Sequence, residues 1–179
     1  LVEQELEGGG AFFGFQVFPD LKNSKKMAAY LGSGGIGLPE RDYYLKTDAK
    51  SKETREKYKE HVARMLALIG TDATTSKKSA DRILALESQL AKATLTKEES
   101  RDPVKQYNKK SIDDLTALTP SINWPSYFAS LGVKEDSIIV TEPVFMKEVE
   151  KIVNSYNWSD IKMYLKWTAL RGGAPFLNH

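Results

Sequence analysis

The sequence predicts a mainly α fold with one small β-hairpin near its N-terminus. Apolar side chains recur at helical spacing through most of the chain, and capping residues and glycines separate these stretches. One aromatic segment near the start instead alternates with a period of two, as strands do. The length of 179 residues, 41% hydrophobic and 28% charged, is typical of one globular domain. We therefore expect residues 1–179 to form a single domain, with the hairpin at about 11–31 and helices from about 49 onward.

The hairpin is predicted from three neighbouring segments. Residues 11–18 (Ala-Phe-Phe-Gly-Phe-Gln-Val-Phe) alternate and are rich in aromatic side chains, which favour strands. Residues 19–24 supply the proline, aspartate and asparagine of a turn, and residues 27–31 can return as a second strand. A helix over 27–31 is the alternative, but the glycines of 32–37 would end it early.

Two long helices are predicted from apolar spacing in the middle of the chain. The first covers residues 51–69 and ends at Gly70, which suits a left-handed C-terminal cap. The second covers residues 76–93. The residues on one face of each helix follow steps of three or four; they are Tyr58, Val62, Met65, Leu66 and Ile69 in the first, and Ala80, Ile83, Leu84, Glu87, Leu90 and Ala91 in the second.

Capping residues predict the shorter elements of the second half. Thr96–Glu99 and Ser111–Asp114 match the capping box, in which two side chains satisfy each other's backbone N–H groups. Asp102 separates the two elements that these boxes begin, because it precedes Pro103 and the residue before a proline avoids helical geometry. Three later helices are expected: one from Asn123 to near Gly132, one from Pro143 to near Tyr156, and one from Ser159 to near Leu170. In the second of these, Val144 is expected to face inward. Residues 137–141 form a short β-branched run.

The counts of cysteine and histidine exclude several chemistries. The chain has no cysteine, so no thiol mechanism is available. Its two histidines, His61 and His179, are far apart in sequence, whereas the zinc-peptidase motif needs two histidines four positions apart on one helix. The formal charge of +2 provides no strong field for nucleic acid, and no apolar run approaches the roughly 18 residues that span a bilayer.

The glycine cluster at 32–37 matches the dinucleotide-binding pattern Gly-x-Gly-x-x-Gly. That pattern binds a pyrophosphate only where a helix begins at the glycines. Pro39 follows at once, and we expect no helix before Thr47. A tight turn is therefore the favoured interpretation, with a nucleotide site as the alternative.

The residues that follow these glycines carry a family resemblance. Gly35-Ile36-Gly37-Leu38-Pro39-Glu40-Arg41-Asp42-Tyr43-Tyr44 strongly resembles the signature Gly-Leu-x-Leu-Pro-x-Arg-Asp-Tyr-Tyr of the neprilysin-type zinc endopeptidases, with Ile36 in place of a leucine. Further similar segments occur in the family's order from about Ala11 onward; they include Arg101-Asp102-Pro103, Tyr107-Asn108, Ile122-Asn123-Trp124 and Val140-Thr141-Glu142-Pro143.

The resemblance implies a zinc enzyme whose catalytic domain carries His-Glu-x-x-His and a downstream glutamate ligand. No residue of this chain matches those positions, so it implies no catalytic or metal-ligating residue and no cofactor within 1–179, with zinc in the parent protein. It also implies a mostly helical N-terminal domain that roofs the active-site cavity and admits only peptides. The implied partners are the catalytic domain of the same parent chain and peptide substrates, with no nucleic acid and no membrane segment in this part.

The resemblance gives the matching residues structural roles. The signature glycines are expected to allow a turn with positive φ, its Arg-Asp pair to bond each other or backbone, and its tyrosines to bury their rings with bonded hydroxyls. The residues with such expected roles are Gly35, Gly37, Leu38, Pro39, Arg41, Asp42, Tyr43, Tyr44, Asp102, Pro103, Tyr107 and Asn108.

Other interpretations remain open at this point. The alternative is that the chain has no enzymatic parent and is an all-α interaction module, which binds a protein through its aromatic C-terminal third. The chain starts in an expected helix, Leu1–Leu6, and ends without a terminator, so both ends are interpreted as cuts through a longer protein. The resemblance implies a bacterial parent, because the animal relatives rely on disulfides and this chain has no cysteine, and we expect an extracytoplasmic location.

Overall fold

The computed structural model describes residues 10–174, which form two compact units. The sheet unit comprises residues 10–34 and 93–154, and the helical unit comprises residues 35–92 and 155–174. The described chain is mainly α with an N-terminal hairpin, as predicted. The single domain expected for the whole chain stays a prediction, and the expected helix at Leu1–Leu6 lies outside the described residues.

The described residues contain eight helices and four strands. The helices are α1 (Asp42–Leu45), α2 (Ala49–Leu68), α3 (Ala73–Ala93), α4 (Pro103–Gln106), α5 (Ile112–Leu118), α6 (Trp124–Ser130), α7 (Pro143–Ser155) and α8 (Trp158–Gly173). The strands are β1 (Phe13–Asp20), β2 (Asn23–Ser33), β3 (Asn108–Ser111) and β4 (Ser137–Val140). A 3-10 turn, Glu99–Arg101, precedes α4.

The strands form one sheet in the order β1-β2-β4-β3. β1 and β2 are the expected antiparallel hairpin, but their pairing continues to Asp20 and Asn23, so the turn is shorter than predicted. The prediction of a single β element is wrong. β3 (Asn-Lys-Lys-Ser) has little intrinsic strand preference and forms because it pairs along its whole length with β4, which also runs parallel to β2.

An aromatic cluster forms the core of the sheet unit. The Phe13 ring lies 5.1 Å from the Trp124 ring, which stacks on Phe128 at 5.5 Å. α6 holds Trp124 in place because Asn123 caps the helix, as predicted, by accepting a hydrogen bond from Ser126 N. The Trp124 indole N–H also donates to Thr119 Oγ1 at 2.7 Å. These contacts bury the tryptophan completely.

Both predicted capping boxes are confirmed. Thr96 N donates to the Glu99 carboxylate while Glu99 N donates to Thr96 Oγ1, at 3.1 and 3.2 Å. Ser111 and Asp114 make the same reciprocal pair of bonds at the start of α5.

The helical unit contains α1, α2, α3 and α8. The predicted periodicity of α2 and α3 is confirmed at Val62, Leu66, Ile83 and Leu90, which are all buried. The placement of Ile69 on the apolar face is wrong, because α2 ends at Leu68 and Ile69 is 48% exposed. Gly70 has a φ of 89° and ends α2, as expected.

Three expectations about helices are wrong. A helix does begin before Thr47, because α1 starts at Asp42. α8 is capped by Asn157 rather than Ser159: Asn157 Oδ1 accepts from Asp160 N, and the Ser159 hydroxyl itself donates to Asn157 Oδ1. Val144 is 70% exposed in the first turn of α7, where it faces outward.

No helix among residues 10–174 combines the length and the apolar character that crossing a bilayer requires.

Candidate functional site: the signature around a buried carboxylate

The signature segment runs through the helical unit into α1. Gly35 has a φ of 76°, so the expected left-handed turn is confirmed at this glycine. The Gly35 carbonyl accepts a hydrogen bond from the hydroxyl of Tyr164 in α8 at 2.8 Å. Leu38 and Tyr44 are buried on either side of Pro39, so the segment is fixed at several points.

The centre of the site is Glu87, a fully buried carboxylate on α3. Its Oε2 accepts from the Tyr44 hydroxyl at 2.7 Å, and its Oε1 accepts from the Tyr58 hydroxyl at 2.8 Å. The Trp167 indole N–H donates to the same Oε1 at 3.2 Å and to Tyr58 Oη at 3.0 Å. Groups from α1, α2 and α8 therefore converge on one acceptor, which satisfies a buried charge.

Tyr44 joins this carboxylate to the signature backbone. While its hydroxyl donates to Glu87, its oxygen accepts from Gly37 N at 2.9 Å and from Leu38 N at 2.7 Å. Burial, with the Glu87 charge beside it, raises the pKa of Tyr44, so the hydroxyl keeps the proton that it donates. The buried ring and bonded hydroxyl expected for Tyr44 are confirmed.

Gly37 is required for close approach rather than for an unusual φ. Its φ is not positive, so that part of the expectation is wrong. A Cβ at Gly37 would lie 1.9 Å from Tyr58 Oη and 2.9 Å from Arg171 Nη1. The signature backbone thus packs directly against the hydroxyl that Glu87 orients.

Arg41 and Asp42 of the signature do not bond each other. Arg41 bonds backbone, the other expected arrangement, and Asp42 bonds a lysine side chain. Arg41 Nη2 lies 3.5 Å from the Lys92 carbonyl near the end of α3, where a cation suits the helix dipole. Asp42 forms an ion pair with Lys46 at 2.9 Å. Tyr43 is only half-buried, and its carbonyl accepts from Arg55.

The second group of matching residues lies in the sheet unit. Asp102 accepts from Val104 N and caps α4, with Pro103 in the first turn. The Tyr107 hydroxyl donates to Asp20 at the end of β1, 3.0 Å away. Asn108 Nδ2 donates to the carbonyl of Val140 in β4 at 3.1 Å. These residues tie the α4 segment to the sheet, which supports a structural role.

Glu142 is a further anchor in the sheet unit, and the sequence analysis named it only as part of a similar segment, with no role of its own. Its carboxylate accepts from Leu95 N at 2.6 Å and from the Ser33 hydroxyl at the end of β2. It therefore links three segments that are distant in sequence.

We expect Glu142→Ala to lower the free energy of unfolding by about 2 kcal/mol, because two donors lose a charged acceptor. Urea denaturation of the chain measures this change. Glu148→Ala, which removes an exposed ion pair with Lys151, is the matched control and should change stability by less than about 1 kcal/mol. Equal effects of the two variants would contradict the anchor role.

The pKa of Glu87 predicts an unusual pH dependence of stability. Burial raises this pKa, although the bonds from Tyr44 and Tyr58 and the nearby Arg171 charge oppose the rise. The native state therefore retains a proton that the unfolded chain releases above about pH 4.3. The free energy of unfolding should fall as pH rises from there through the native pKa of Glu87.

Glu87→Gln should remove this fall, because glutamine does not titrate. The measurement is urea denaturation at a series of pH values, with His61→Gln as a control that removes another ionisable group of the same unit. An unchanged pH slope in Glu87→Gln would show that the slope comes from other groups.

The described residues also bear on metal binding and on nucleotide binding. Among residues 10–174 no three His, Cys, Asp or Glu side chains form a group that could hold a metal ion. His61 is exposed and its ring meets the Trp167 ring edge to face, with the centroids 5.7 Å apart, and His179 lies outside the described residues. The first helix after the 32–37 glycines is α1, which begins beyond Pro39, so no helix starts at the glycines as the nucleotide motif needs.

Sequence reasoning placed Glu87 and Tyr58 on helix faces but missed their roles. The available signal was a glutamate within an otherwise apolar face, since a buried charge needs partners. The partners Trp167 and Arg171 carried no such signal, because their approach to Glu87 depends on how α8 packs.

Comparison with known proteins identifies the family. The model of the N-terminal part of peptidase family M13 matches residues 1–179. An endothelin-converting enzyme homolog of Locusta migratoria is 27% identical over 94% of this chain and 25% of its own length. A putative zinc metalloproteinase of Streptococcus gordonii is 28% identical over 99% of this chain and 32% of its own length.

A solved structure agrees with these relatives. The zinc metalloprotease Zmp1 of Mycobacterium tuberculosis, in its open state, superposes with a TM-score of 0.90 at 30% identity, over 99% of this chain and 28% of that one. The chain thus spans about a quarter to a third of the length of the proteins it matches. On these grounds the chain belongs to the neprilysin-type peptidase family M13.

Proposed function

We propose that the chain is part of a zinc-dependent metalloendopeptidase that hydrolyses peptides, in which it forms a non-catalytic roof over the active-site cavity. The likeness to the zinc metalloprotease Zmp1 over 99% of the chain carries this proposal. The zinc ligands and the catalytic groups belong to another part of the parent protein, which is the partner of this chain.

The chemistry of the signature supports a structural rather than a catalytic role. Glu87 is the acid–base group at its centre, and this fully buried carboxylate accepts hydrogen bonds from the internal donors Tyr44, Tyr58 and Trp167. A general acid or base must reach a substrate proton, which this carboxylate does not do. Its bonds instead hold α1, α2, α3 and α8 in a fixed arrangement.

A fixed arrangement is what a roof needs. A rigid cover over a cleft admits short flexible chains and excludes folded proteins by size. The two compact units provide such rigid parts, since the helical unit is held by the buried Glu87 and the sheet unit by the half-buried Glu142.

The first test concerns the parent protein. Its reading frame beyond residue 179 should encode His-Glu-x-x-His, and the purified parent should bind zinc and cleave a quenched fluorogenic peptide. The chain of 1–179 alone, supplied with zinc, should not cleave it. A parent without the motif or without zinc-dependent cleavage would remove the proposal.

The second test concerns the roof. The parent should cleave a flexible peptide but spare the same sequence within a folded protein. Gly37→Ala, which loosens the helical unit, should raise cleavage of the folded substrate relative to the peptide by about tenfold or more, against a matched Gly172→Ala control. An unchanged ratio in a destabilised Gly37→Ala parent would exclude the roof.

The rival interpretation, an interaction module, has lost its main support. The aromatic residues it would use, Trp124, Tyr164 and Trp167, are buried within their units. Trp158 remains 72% exposed, but one side chain is a small surface for a partner. For location, we propose an extracytoplasmic parent, which cell fractionation of the source organism would test.

A further inference from the structure

The sheet unit carries a pocket of about 320 Å³ on one face of the hairpin. Its lining includes alternate residues of β1 (Gly14, Gln16, Phe18), which point to the same face of the sheet, and Tyr30 and Gly32 from β2. None of the residues that line this sheet-face pocket is charged, although 28% of the whole chain is.

Glycine at position 14 is explained by neither backbone conformation nor packing. Its φ is not in the left-handed region, and a Cβ there would meet no atom within 4 Å. Gly14 lies directly opposite Gly32, so two glycines form one end of the pocket floor. Glycine inside a strand weakens the strand and often marks a place where a ligand approaches the backbone.

Two aromatic rings form a preformed wall. The Phe18 and Tyr30 rings meet edge to face, with their centroids 6.3 Å apart. The Tyr30 hydroxyl donates to the Pro19 carbonyl at 3.1 Å and accepts from Leu21 N at 3.2 Å, which fixes its ring. Phe18 is nevertheless 52% exposed, so this wall faces the open pocket.

Every polar side chain of the lining except Gln16 makes at least one hydrogen bond. The Ser33 hydroxyl donates to Glu142, the Thr141 hydroxyl to the Leu31 carbonyl, and Gln106 to the Ser100 carbonyl. The exposed Gln16 amide makes no hydrogen bond within the described residues. Since a side-chain amide both donates and accepts, it complements a peptide group.

We propose that the sheet-face pocket binds an aromatic side chain within an uncharged stretch of peptide, with Gln16 bonded to a neighbouring peptide group. The volume is at the small end of ligand pockets and suits one side chain with its flanking backbone. An anionic side chain would lose water there without gaining an opposite charge, since no lining residue is a cation. The choice of a peptide as ligand rests on the proposed function.

The test is a titration of the isotope-labelled 179-residue chain, followed by NMR, with the probe acetyl-Ala-Phe-Ala-amide. The backbone amides of Gly14 and Gly32 and the side-chain amide of Gln16 should shift saturably. A dissociation constant of about 1 mM is expected for so small a probe. Acetyl-Ala-Asp-Ala-amide should bind at least about tenfold more weakly.

Two variants connect these shifts to the pocket. Gly14→Leu fills the floor, where the structure leaves space, and should weaken binding at least about tenfold. Gln16→Ala should weaken binding of the probe a few-fold while leaving the fold intact. This second variant still tests the pocket if the Gly14→Leu chain does not fold. Gly172→Ala, where a Cβ also meets open space, is the matched control and should bind as the unmodified chain does.

Three results would each overturn the proposal: no saturable shift up to about 10 mM probe, equal binding of the aspartate probe, or unchanged binding by both pocket variants. The titration needs neither zinc nor the rest of the parent protein. Binding without peptide hydrolysis by the parent would therefore refute the proposed function alone, and hydrolysis without binding would refute this inference alone.

Discussion

Replacing Gly37 by alanine should lower the free energy of unfolding by about 3 kcal/mol, at the upper end of the cost of overpacking. The new Cβ would lie 1.9 Å from Tyr58 Oη and 2.7 Å from its Cζ. The Tyr58 ring cannot move aside freely, because its hydroxyl donates to Glu87 and accepts from the Trp167 indole. Urea denaturation followed by tryptophan fluorescence measures the loss.

A double-mutant cycle separates this clash from a general effect of alanine. In a Tyr58→Phe background the obstructing oxygen is gone, so Gly37→Ala should cost at least about 1 kcal/mol less than in the unmodified chain. Gly172→Ala in the same unit meets no atom within 4 Å and should be neutral or slightly stabilising. Equal costs of Gly37→Ala in both backgrounds would show that Tyr58 is not the obstacle.

Local signals in the sequence predicted much of the fold. Apolar spacing predicted α2 and α3, and the side chain of Asn123 predicted the start of α6. Such features depend on residues within a few positions of one another. β3 was missed because its stability comes from pairing with β4, almost 30 residues later, and not from its own residues.

The candidate site was predictable in its sequence position but not in its chemistry. The signature resemblance identified Gly37 and Tyr44, yet their shared partner Glu87 lies 43 residues beyond Tyr44. The requirement for glycine at 37 arises from contact with Tyr58, not from φ. Only the packing of α2, α3 and α8 brings these groups together, and no local pattern encodes that packing.

Replacing Glu87 by alanine should have the largest effect, a loss of about 4 kcal/mol. The hydroxyls of Tyr44 and Tyr58 would lose their acceptor in a buried site. The Trp167 indole N–H would lose one of its two acceptors. The nearby Arg171 would lose the carboxylate that offsets its charge. Glu60→Ala, on the exposed face of α2, is the control and should change stability by less than about 0.5 kcal/mol.

Glutamine at position 87 should restore only part of this stability. Glutamine has one acceptor oxygen where the carboxylate has two. Its N–H groups would face either Tyr44 Oη, which already accepts from Gly37 N and Leu38 N, or the Trp167 N–H and the Tyr58 hydroxyl that donate to Oε1. Hydrogen exchange gives the local readout: the amides of Gly37 and Leu38 should exchange faster in Glu87→Ala than in Glu87→Gln. If both amides keep their protection in Glu87→Ala, the carboxylate does not hold the signature, and Tyr44 alone is its anchor.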